Sequence, residues 1–150
     1  MDRVGYAPVE MLLVEDNAGD VRLIEETFGE GKTLLSLTVA KDGIQAMEAL
    51  RREGEFSEIK PIDLVVLDLN LPRKDGCEVL MEIRADEALK NIPVIVLTSS
   101  AAQNDVSRAY ELNANCYVIK PIDLDEFVEA VRSIEDFWLT IAKLPANGAK

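Results

Sequence analysis

Side chains that could carry chemistry follow four apolar segments of this 150-residue sequence, each at the point where the segment ends. The segment VVL at 65–67 runs directly into Asp68, although an ionised carboxylate beside an apolar core is costly unless a partner compensates it. The other three segments end in the same way, in Glu15 and Asp16, in Thr98, and in Lys120. Acids, a hydroxyl and a lysine at equivalent positions indicate a shared site.

Three clustered carboxylates need more positive charge than one lysine supplies. Like charges ~5 Å apart repel by roughly 3 kcal/mol per pair at an effective dielectric constant near 20. A hard divalent cation balances them, and Mg²⁺ prefers carboxylate oxygens together with water and a substrate phosphate. The set Glu15, Asp16, Asp68, Thr98 and Lys120 therefore predicts a Mg²⁺ site with a carboxylate nucleophile suited to phosphoryl transfer.

Short apolar runs alternate with amphipathic stretches along the chain. Near-continuous apolar runs are typical of parallel strands that are covered on both faces, and helices between them are opened by capping pairs such as Asn17 with Asp20 and Asp123 with Glu126. Five strand–helix repeats predict an α/β fold, a doubly wound five-stranded parallel sheet in a three-layer sandwich. Function gathers at the carboxyl ends of such strands. The predicted strands lie at 9–14, 34–40, 62–67, 92–97 and 115–119.

Each of these residues also has a simpler explanation. Glu15 and Asp16 could be loop acids beside a helix cap, and Asp68 could be a turn residue before Pro72. Thr98 could satisfy backbone groups, and Lys120 could be a surface lysine at a turn. Their occurrence together at the same ends of four strands favours the phosphoryl-transfer interpretation.

Composition excludes several classes of function. Sixteen Lys and Arg against 28 Asp and Glu give a net charge of −12, which disfavours binding to nucleic acid or to an anionic membrane. The sequence contains no histidine, which rules out Ser-His-Asp catalysis and His-ligated zinc within it. Cys77 and Cys116 have no metal-type spacing. A cytoplasmic location with both thiols reduced is the expectation.

Four motifs in order resemble the receiver domain of two-component response regulators: VEDN, LDLNLPRKDG, LTSS and YVIKP. The resemblance spans about residues 9–135 and implies the flavodoxin-like receiver fold. A C-terminal extension at about 136–145 follows, and the expectation is one receiver domain over 1–150. Since only a helix and a short tail follow that core, output is expected through contact with another protein.

The resemblance also implies roles for the acids. Asp68 would accept phosphate from a phosphohistidine on a partner histidine kinase and form an aspartyl phosphate. Asp16 and Asp68, with the backbone carbonyl of Asn70, would hold Mg²⁺, and Glu15 would act partly through water. Glu15 stands where many receivers have aspartate, which keeps the charge but changes the reach.

The remaining motifs imply binding and switching roles. Thr98 and Lys120 would bind the phosphoryl oxygens, and the bond between Lys120 and Pro121 is expected to be cis. Tyr117 stands where the family places a switch aromatic, which would turn inward as Thr98 moves toward the phosphate. Without the resemblance, Tyr117 reads as a tyrosine at a sheet edge.

The last predicted helix, from 123 to 143, is long enough to overhang the sheet. Its end carries apolar residues that either pack back onto the domain or form an interface patch. We predict a homodimer through this helix, strengthened by phosphorylation. The tail pattern FW…LP at 137–145 and the motif LNLPRKDG resemble those of single-domain response regulators paired with phytochrome-type histidine kinases. The predicted interface residues are Phe137, Trp138, Ile141 and Leu144.

Three other interpretations compete with the receiver. A haloacid-dehalogenase-like phosphatase also uses an aspartate, Mg²⁺, a hydroxyl and a lysine, but its nucleophile strand comes first and a second acid follows two residues later. Here Asp68 ends the third strand and Asn70 occupies that later position. A flavodoxin-like cofactor carrier lacks support because no phosphate loop follows the first strand. A degenerate receiver that only scaffolds is the third alternative, and the presence of every needed residue disfavours it.

Overall fold

A parallel β-sheet runs through the middle of the molecule, as the alternating pattern predicts. The computed structural model describes residues 8–30 and 34–145, apart from the side chains of Thr140 and Ile141. The described residues form five strands, β1 (Val9–Val14), β2 (Leu35–Ala40), β3 (Leu64–Leu67), β4 (Val94–Thr98) and β5 (Cys116–Ile119). Their order in the sheet is β2-β1-β3-β4-β5, and every neighbouring pair is parallel.

Helices follow the strands, as the predicted strand–helix alternation requires. The side chain of Asn17 accepts a hydrogen bond from the amide of Asp20 (2.9 Å), and that of Asp123 accepts one from Glu126 (3.0 Å), so both predicted caps form. No helix within the described ranges is long and apolar enough to cross a membrane. The α-helices are α1 (Ala18–Gly29), α2 (Gly43–Arg51), α3 (Gly76–Ala85), α4 (Gln103–Glu111) and α5 (Leu124–Asp136).

The sheet divides the apolar core into two layers, which confirms the doubly wound three-layer arrangement. Side chains from α2, α3 and α4 pack on one face, against alternate residues of the strands such as Leu12 and Val65. Side chains from α1 and α5 pack on the other face, against the intervening residues such as Met11 and Val66. Because successive strand residues point to opposite faces, strands buried on both sides read as continuous apolar runs.

The C-terminal segment differs from the long helix that the sequence predicts. α5 ends at Asp136 and a π-helical turn, Phe137–Ile141, follows, closed by a hydrogen bond from the amide of Ala142 to the carbonyl of Phe137 (2.7 Å). The cause is packing, since Trp138, Leu139 and Leu144 lie against the core beneath α1 and α5. Helical backbone therefore continues to Ile141, close to the predicted end at 143, but part of the predicted overhang packs back onto the domain.

The predicted interface residues are accordingly divided. Trp138 and Leu144 pack back onto their own domain, whereas Phe137 is exposed. The side chain of Ile141 lies outside the described residues.

The loop between β3 and α3 passes so close to the strand that only glycine fits where the helix begins. A Cβ atom added at Gly76 would lie 2.4 Å from the carbonyl oxygen of Asp68 and 2.6 Å from the Cα atom of Leu69. The amide of Gly76 donates to the carbonyl of Leu69 (3.0 Å), and Asp75 and Glu78 form a reciprocal capping box at the same helix end. These contacts fix the point at which Asp68 leaves the sheet.

Replacing Gly76 with alanine is expected to destabilise the protein by about 1–3 kcal/mol, because the new methyl group must displace backbone atoms. Gly29→Ala is the matched control: a Cβ atom there meets nothing within 4 Å, and the expected change is within about 1 kcal/mol. Urea denaturation followed by circular dichroism measures both variants. Equal stability of Gly76→Ala and the wild type would contradict this close approach.

Candidate functional site

Backbone hydrogen bonds position the predicted functional residues just past the ends of their strands. The amide of Glu15 donates to the last carbonyl of β2 (2.9 Å), and the amide of Asp68 donates to the last carbonyl of β1 (3.0 Å). The amide of Lys120 donates to the carbonyl of Thr98 at the end of β4 (2.7 Å). Because the strands are parallel, these residues meet at one edge of the sheet, as predicted.

The ammonium group of Lys120 is the centre of this arrangement. Its Nζ atom lies 2.6 Å from Oε1 of Glu15, 2.8 Å from Oδ2 of Asp20 and 3.0 Å from Oδ2 of Asp68. An ammonium group has three N–H donors, so these carboxylates use all of them.

Asp20 is the member of this cluster that the sequence pattern does not predict. The pattern gives Asp20 only the role of a capping partner for Asn17. The signal that could have found it is its spacing, one helical turn after Asp16, in the first turn of a helix that begins at the same sheet edge.

Burial and charge set the protonation of the cluster. Glu15 is 2% exposed and Asp68 is 6% exposed. Burial raises the pKa of Glu15 to about 7, against the opposing hydrogen bond from Lys120. Burial alone would lower the pKa of Lys120, but its hydrogen bonds to Asp20 and Glu15 raise that pKa above its ordinary value. The lysine therefore stays cationic at neutral pH while Glu15 is near its titration midpoint.

Three carboxylates lie close enough to share one cation. One oxygen atom from each of Glu15, Asp16 and Asp68 lies within 4.8 Å of the others; Glu15 and Asp68 are buried and Asp16 is exposed. The amide of Asn70 donates to Oδ1 of Asp68 (3.0 Å). This hydrogen bond fixes the position of the turn after β3 relative to the Asp68 carboxylate. An all-oxygen donor set with one side open to water fits a hard divalent cation such as Mg²⁺.

A buried hydroxyl without a partner lies at the end of β4. Oγ1 of Thr98 makes no hydrogen bond within the described residues, and such an unmade bond costs about 1–3 kcal/mol. Tyr117 donates its hydroxyl to the carbonyl of Ser100 (2.9 Å), and burial raises the pKa of that hydroxyl. The Ser100 hydroxyl in turn bonds to Asp105. The Thr98 hydroxyl is therefore available for a new hydrogen bond, whereas the Tyr117 hydroxyl is already hydrogen-bonded to the loop after β4.

The peptide bond between Lys120 and Pro121 differs from the expected one. No cis peptide bond occurs in the described part of the chain, so the expected cis bond is wrong. The trans isomer is the lower-energy form of most X–Pro bonds. Lys120 contacts its three carboxylates in this form.

The sheet and the residues at its carboxyl edge define the class of protein. Residues 11–132 match the family model for the response regulator receiver domain, and the chain belongs to that family. The five-stranded parallel sheet with helices on both sides is the flavodoxin-like fold of receivers. This membership favours a phosphoacceptor domain over the phosphatase interpretation.

Individual relatives match nearly the whole chain. The response regulator Rcp1 of Synechocystis sp. is 44% identical over 139 residues, which cover 93% of this chain and 95% of Rcp1. The crystal structure of the phosphorylated cyanobacterial phytochrome response regulator RcpA matches with a TM-score of 0.89 at 44% identity, covering 93% of this chain and 100% of that chain. The Mn²⁺-bound form of Rcp1 matches with the same TM-score, identity and coverage. The chain is thus similar to one response regulator solved in its phosphorylated form and to one solved in a Mn²⁺-bound form.

Without divalent cations, raising the pH is expected to destabilise the wild-type protein relative to Glu15→Gln. The folded-state pKa of Glu15, about 7, lies above its ordinary value of 4.5. The bound proton therefore contributes stability that is complete below pH 4.5 and is lost as the pH rises through about 7. Between about pH 5 and about pH 8, the stability difference is expected to move by about 2 kcal/mol in favour of Glu15→Gln.

Urea denaturation in the presence of a chelator measures this difference at both pH values. Glu25→Gln, which changes an exposed glutamate of α1, is the control for the loss of one carboxylate. A Glu15→Gln difference that does not change with pH would count against the raised pKa.

Proposed function

We propose that the protein is a phosphoacceptor switch that takes a phosphoryl group on Asp68 from a phosphohistidine of a partner kinase. One observation carries the proposal: the buried carboxylate of Asp68 lies 3.0 Å from the ammonium group of Lys120, beside two further acids whose oxygens lie within 4.8 Å of its own. The buried, unpartnered hydroxyl of Thr98 belongs to the end of a strand at the same sheet edge. The phosphorylated structure of RcpA supports the same chemistry in a similar protein. The sequence has no histidine, so a phosphohistidine donor lies outside these residues.

A divalent cation completes the proposed site, and we infer that it is Mg²⁺. Asp16 and Asp68, with the backbone carbonyl of Asn70, would hold it, and Glu15 would act partly through water. Support comes from the oxygen cluster within 4.8 Å and from the Mn²⁺-bound form of Rcp1. When bound, the cation neutralises negative charge on the phosphoryl oxygens.

Transfer to Asp68 exchanges one bond to phosphorus for another. A carboxylate oxygen of Asp68 forms the new P–O bond while the P–N bond to the donor imidazole breaks, and that electron pair stays on the imidazole nitrogen. Lys120 supplies a fixed positive charge for the phosphoryl oxygens, and the hydroxyl of Thr98 donates a hydrogen bond to one of them. Water later breaks the P–O bond slowly, which releases phosphate and restores the carboxylate.

Thr98 and Tyr117 form the switch in this proposal. As Thr98 moves toward a phosphoryl oxygen, the backbone that leads to Ser100 moves with it. The hydrogen bond from Tyr117 to the Ser100 carbonyl is then lost and the ring turns inward, which changes the surface formed by α4, β5 and α5.

The partner in this proposal is a histidine kinase of the phytochrome type. The similarity to a cyanobacterial phytochrome response regulator over 93% of the chain supports that choice. One receiver domain with a core at 9–135 would signal by protein contact in the cytoplasm, without binding nucleic acid or a membrane. The net charge of −12 disfavours binding to nucleic acid or to an anionic membrane. Cys77 and Cys116 are free thiols, which fits the proposed cytoplasmic location.

Intact-mass spectrometry after incubation with acetyl phosphate tests the phosphoacceptor. The wild-type protein is expected to gain one phosphoryl group, slowly lost, only when Mg²⁺ is present. Asp68→Asn is expected to gain none, because an amide is not the required nucleophile. Asp125→Asn, which removes an exposed acid of α5, should behave as the wild type does.

Two results would contradict this function. The absence of any adduct on the wild-type protein would favour a degenerate receiver that acts as a scaffold. Continuous release of inorganic phosphate at the rate of an enzyme would favour the phosphatase.

We further propose that two copies associate through α5 and the turn that follows it. Phe137 is 50% exposed and stands edge-on to Trp138, with 5.4 Å between the ring centroids. Leu124, at the start of α5, is also exposed. In a two-fold dimer the same apolar residues of both copies cover one another, and phosphorylation would strengthen that contact by altering the neighbouring surface.

Light scattering coupled to size-exclusion chromatography tests the dimer. The wild-type protein is expected to have twice the monomer mass, at least when phosphorylated, and Phe137→Ser is expected to be monomeric with an unchanged urea midpoint. Met81→Ser alters a similarly exposed apolar residue on α3 and should leave the dimer intact. A wild-type monomer both with and without phosphate would rule this interface out.

A further inference from the structure

Lys120 has one carboxylate partner that the candidate cation site does not use. Glu15 and Asp68 contact Lys120, and both also belong to the group of acids whose oxygens could share a cation. Asp20 contacts the ammonium group at 2.8 Å but is not part of that group in the described portion of the chain. The lysine therefore has two partners in the cation cluster and one outside it.

The start of α1 holds Asp20 in place relative to the phosphoacceptor edge. The amide of Asp20 donates to Oδ1 of Asn17 (2.9 Å), and the amide of Asn17 donates to Oε2 of Glu15 (3.1 Å). These two bonds connect the end of β1 to the first turn of the helix. The Asp20 side chain is 27% exposed, so a smaller residue there opens no hole in the core.

Phosphorylation changes two of the three partners of Lys120. In the proposed function Asp68 becomes an acyl phosphate, and Glu15 would face a bound cation as well as the lysine. Asp20 takes part in neither change, and its helix keeps it within reach of the ammonium group. A long, flexible lysine side chain needs such a fixed partner to keep its charge in one place.

We infer that Asp20 is a positioning residue, which holds the ammonium group of Lys120 beside Asp68 both before and after the phosphoryl group arrives. The inference rests on the proposed role of Asp68 as the phosphoacceptor. It assigns to α1 a part in phosphoryl transfer that goes beyond covering the sheet.

The rate constant for phosphorylation by acetyl phosphate at saturating Mg²⁺, followed by intact mass, tests the inference. Asp20→Ala is expected to lower it about tenfold, less than the about hundredfold that a 1 Å misplacement can cost. Asp20→Asn retains a side-chain oxygen of the same reach and should lose less. Asp125→Ala removes a first-turn acid of α5 and should keep the wild-type rate, which controls for net charge and for the helix dipole.

A double-mutant cycle separates positioning from a general structural role. If Asp20 acts through Lys120, Asp20→Ala should cause no further loss when it is added to Lys120→Met. The affinity for Mg²⁺, measured by titration calorimetry, should be the same for Asp20→Ala and the wild type. Urea denaturation of each variant confirms that the proteins compared are folded.

Three results would overturn the inference while leaving the proposed function in place: a wild-type rate for Asp20→Ala, losses that multiply in the double mutant, or a loss of Mg²⁺ affinity that accounts for the slower rate. The last result would make Asp20 a cation ligand. A wild-type protein that takes no phosphoryl group would overturn both the proposed function and this inference.

Discussion

The ion-pair cluster around Lys120 is the interaction on which the rest of the site depends. Glu15 and Asp68 are buried carboxylates, and removal of one member of such a cluster leaves a charge without compensation. The lysine must therefore be brought to an accurate position at the end of β5. The hydrogen bond from its amide to the carbonyl of Thr98 does this by continuing the sheet one residue beyond the strand.

The order of the strands gives the two sides of the site different mechanical properties. Asp68 follows β3, which is paired on both sides, with β1 and with β4, and the close contact with Gly76 further restricts the loop after it. Tyr117 belongs to β5 and Lys120 follows that strand directly; β5 is at the end of the strand order. An edge strand has fewer backbone hydrogen bonds to break when it moves. The proposed nucleophile is therefore on the rigid part of the sheet, and the proposed switch is on the part that moves at lower cost.

The sequence predicts the α/β fold class and most of the site for one physical reason. Parallel strands covered on both faces are near-continuous apolar runs, so the polar residue that ends such a run marks the edge where function gathers. Asp20 does not follow a strand, and its contact with Lys120 depends on where α1 crosses the sheet, which periodicity does not encode. The turn at Phe137–Ile141 is a similar case, since the helical pattern of α5 continues past Asp136 and packing against the core overrides it.

The energies of two hydrogen bonds near the loop after β4 explain how phosphorylation of Asp68 would change the protein surface in the proposed function. The Thr98 hydroxyl is buried without a partner, at a cost of about 1–3 kcal/mol, whereas the hydrogen bond from Tyr117 to Ser100 contributes about 1 kcal/mol. A phosphoryl oxygen that accepts from Thr98 therefore gains at least as much as the loss of the tyrosine bond costs. Because the two terms are of similar size, the unphosphorylated form holds Tyr117 in place and a single new hydrogen bond is enough to release it.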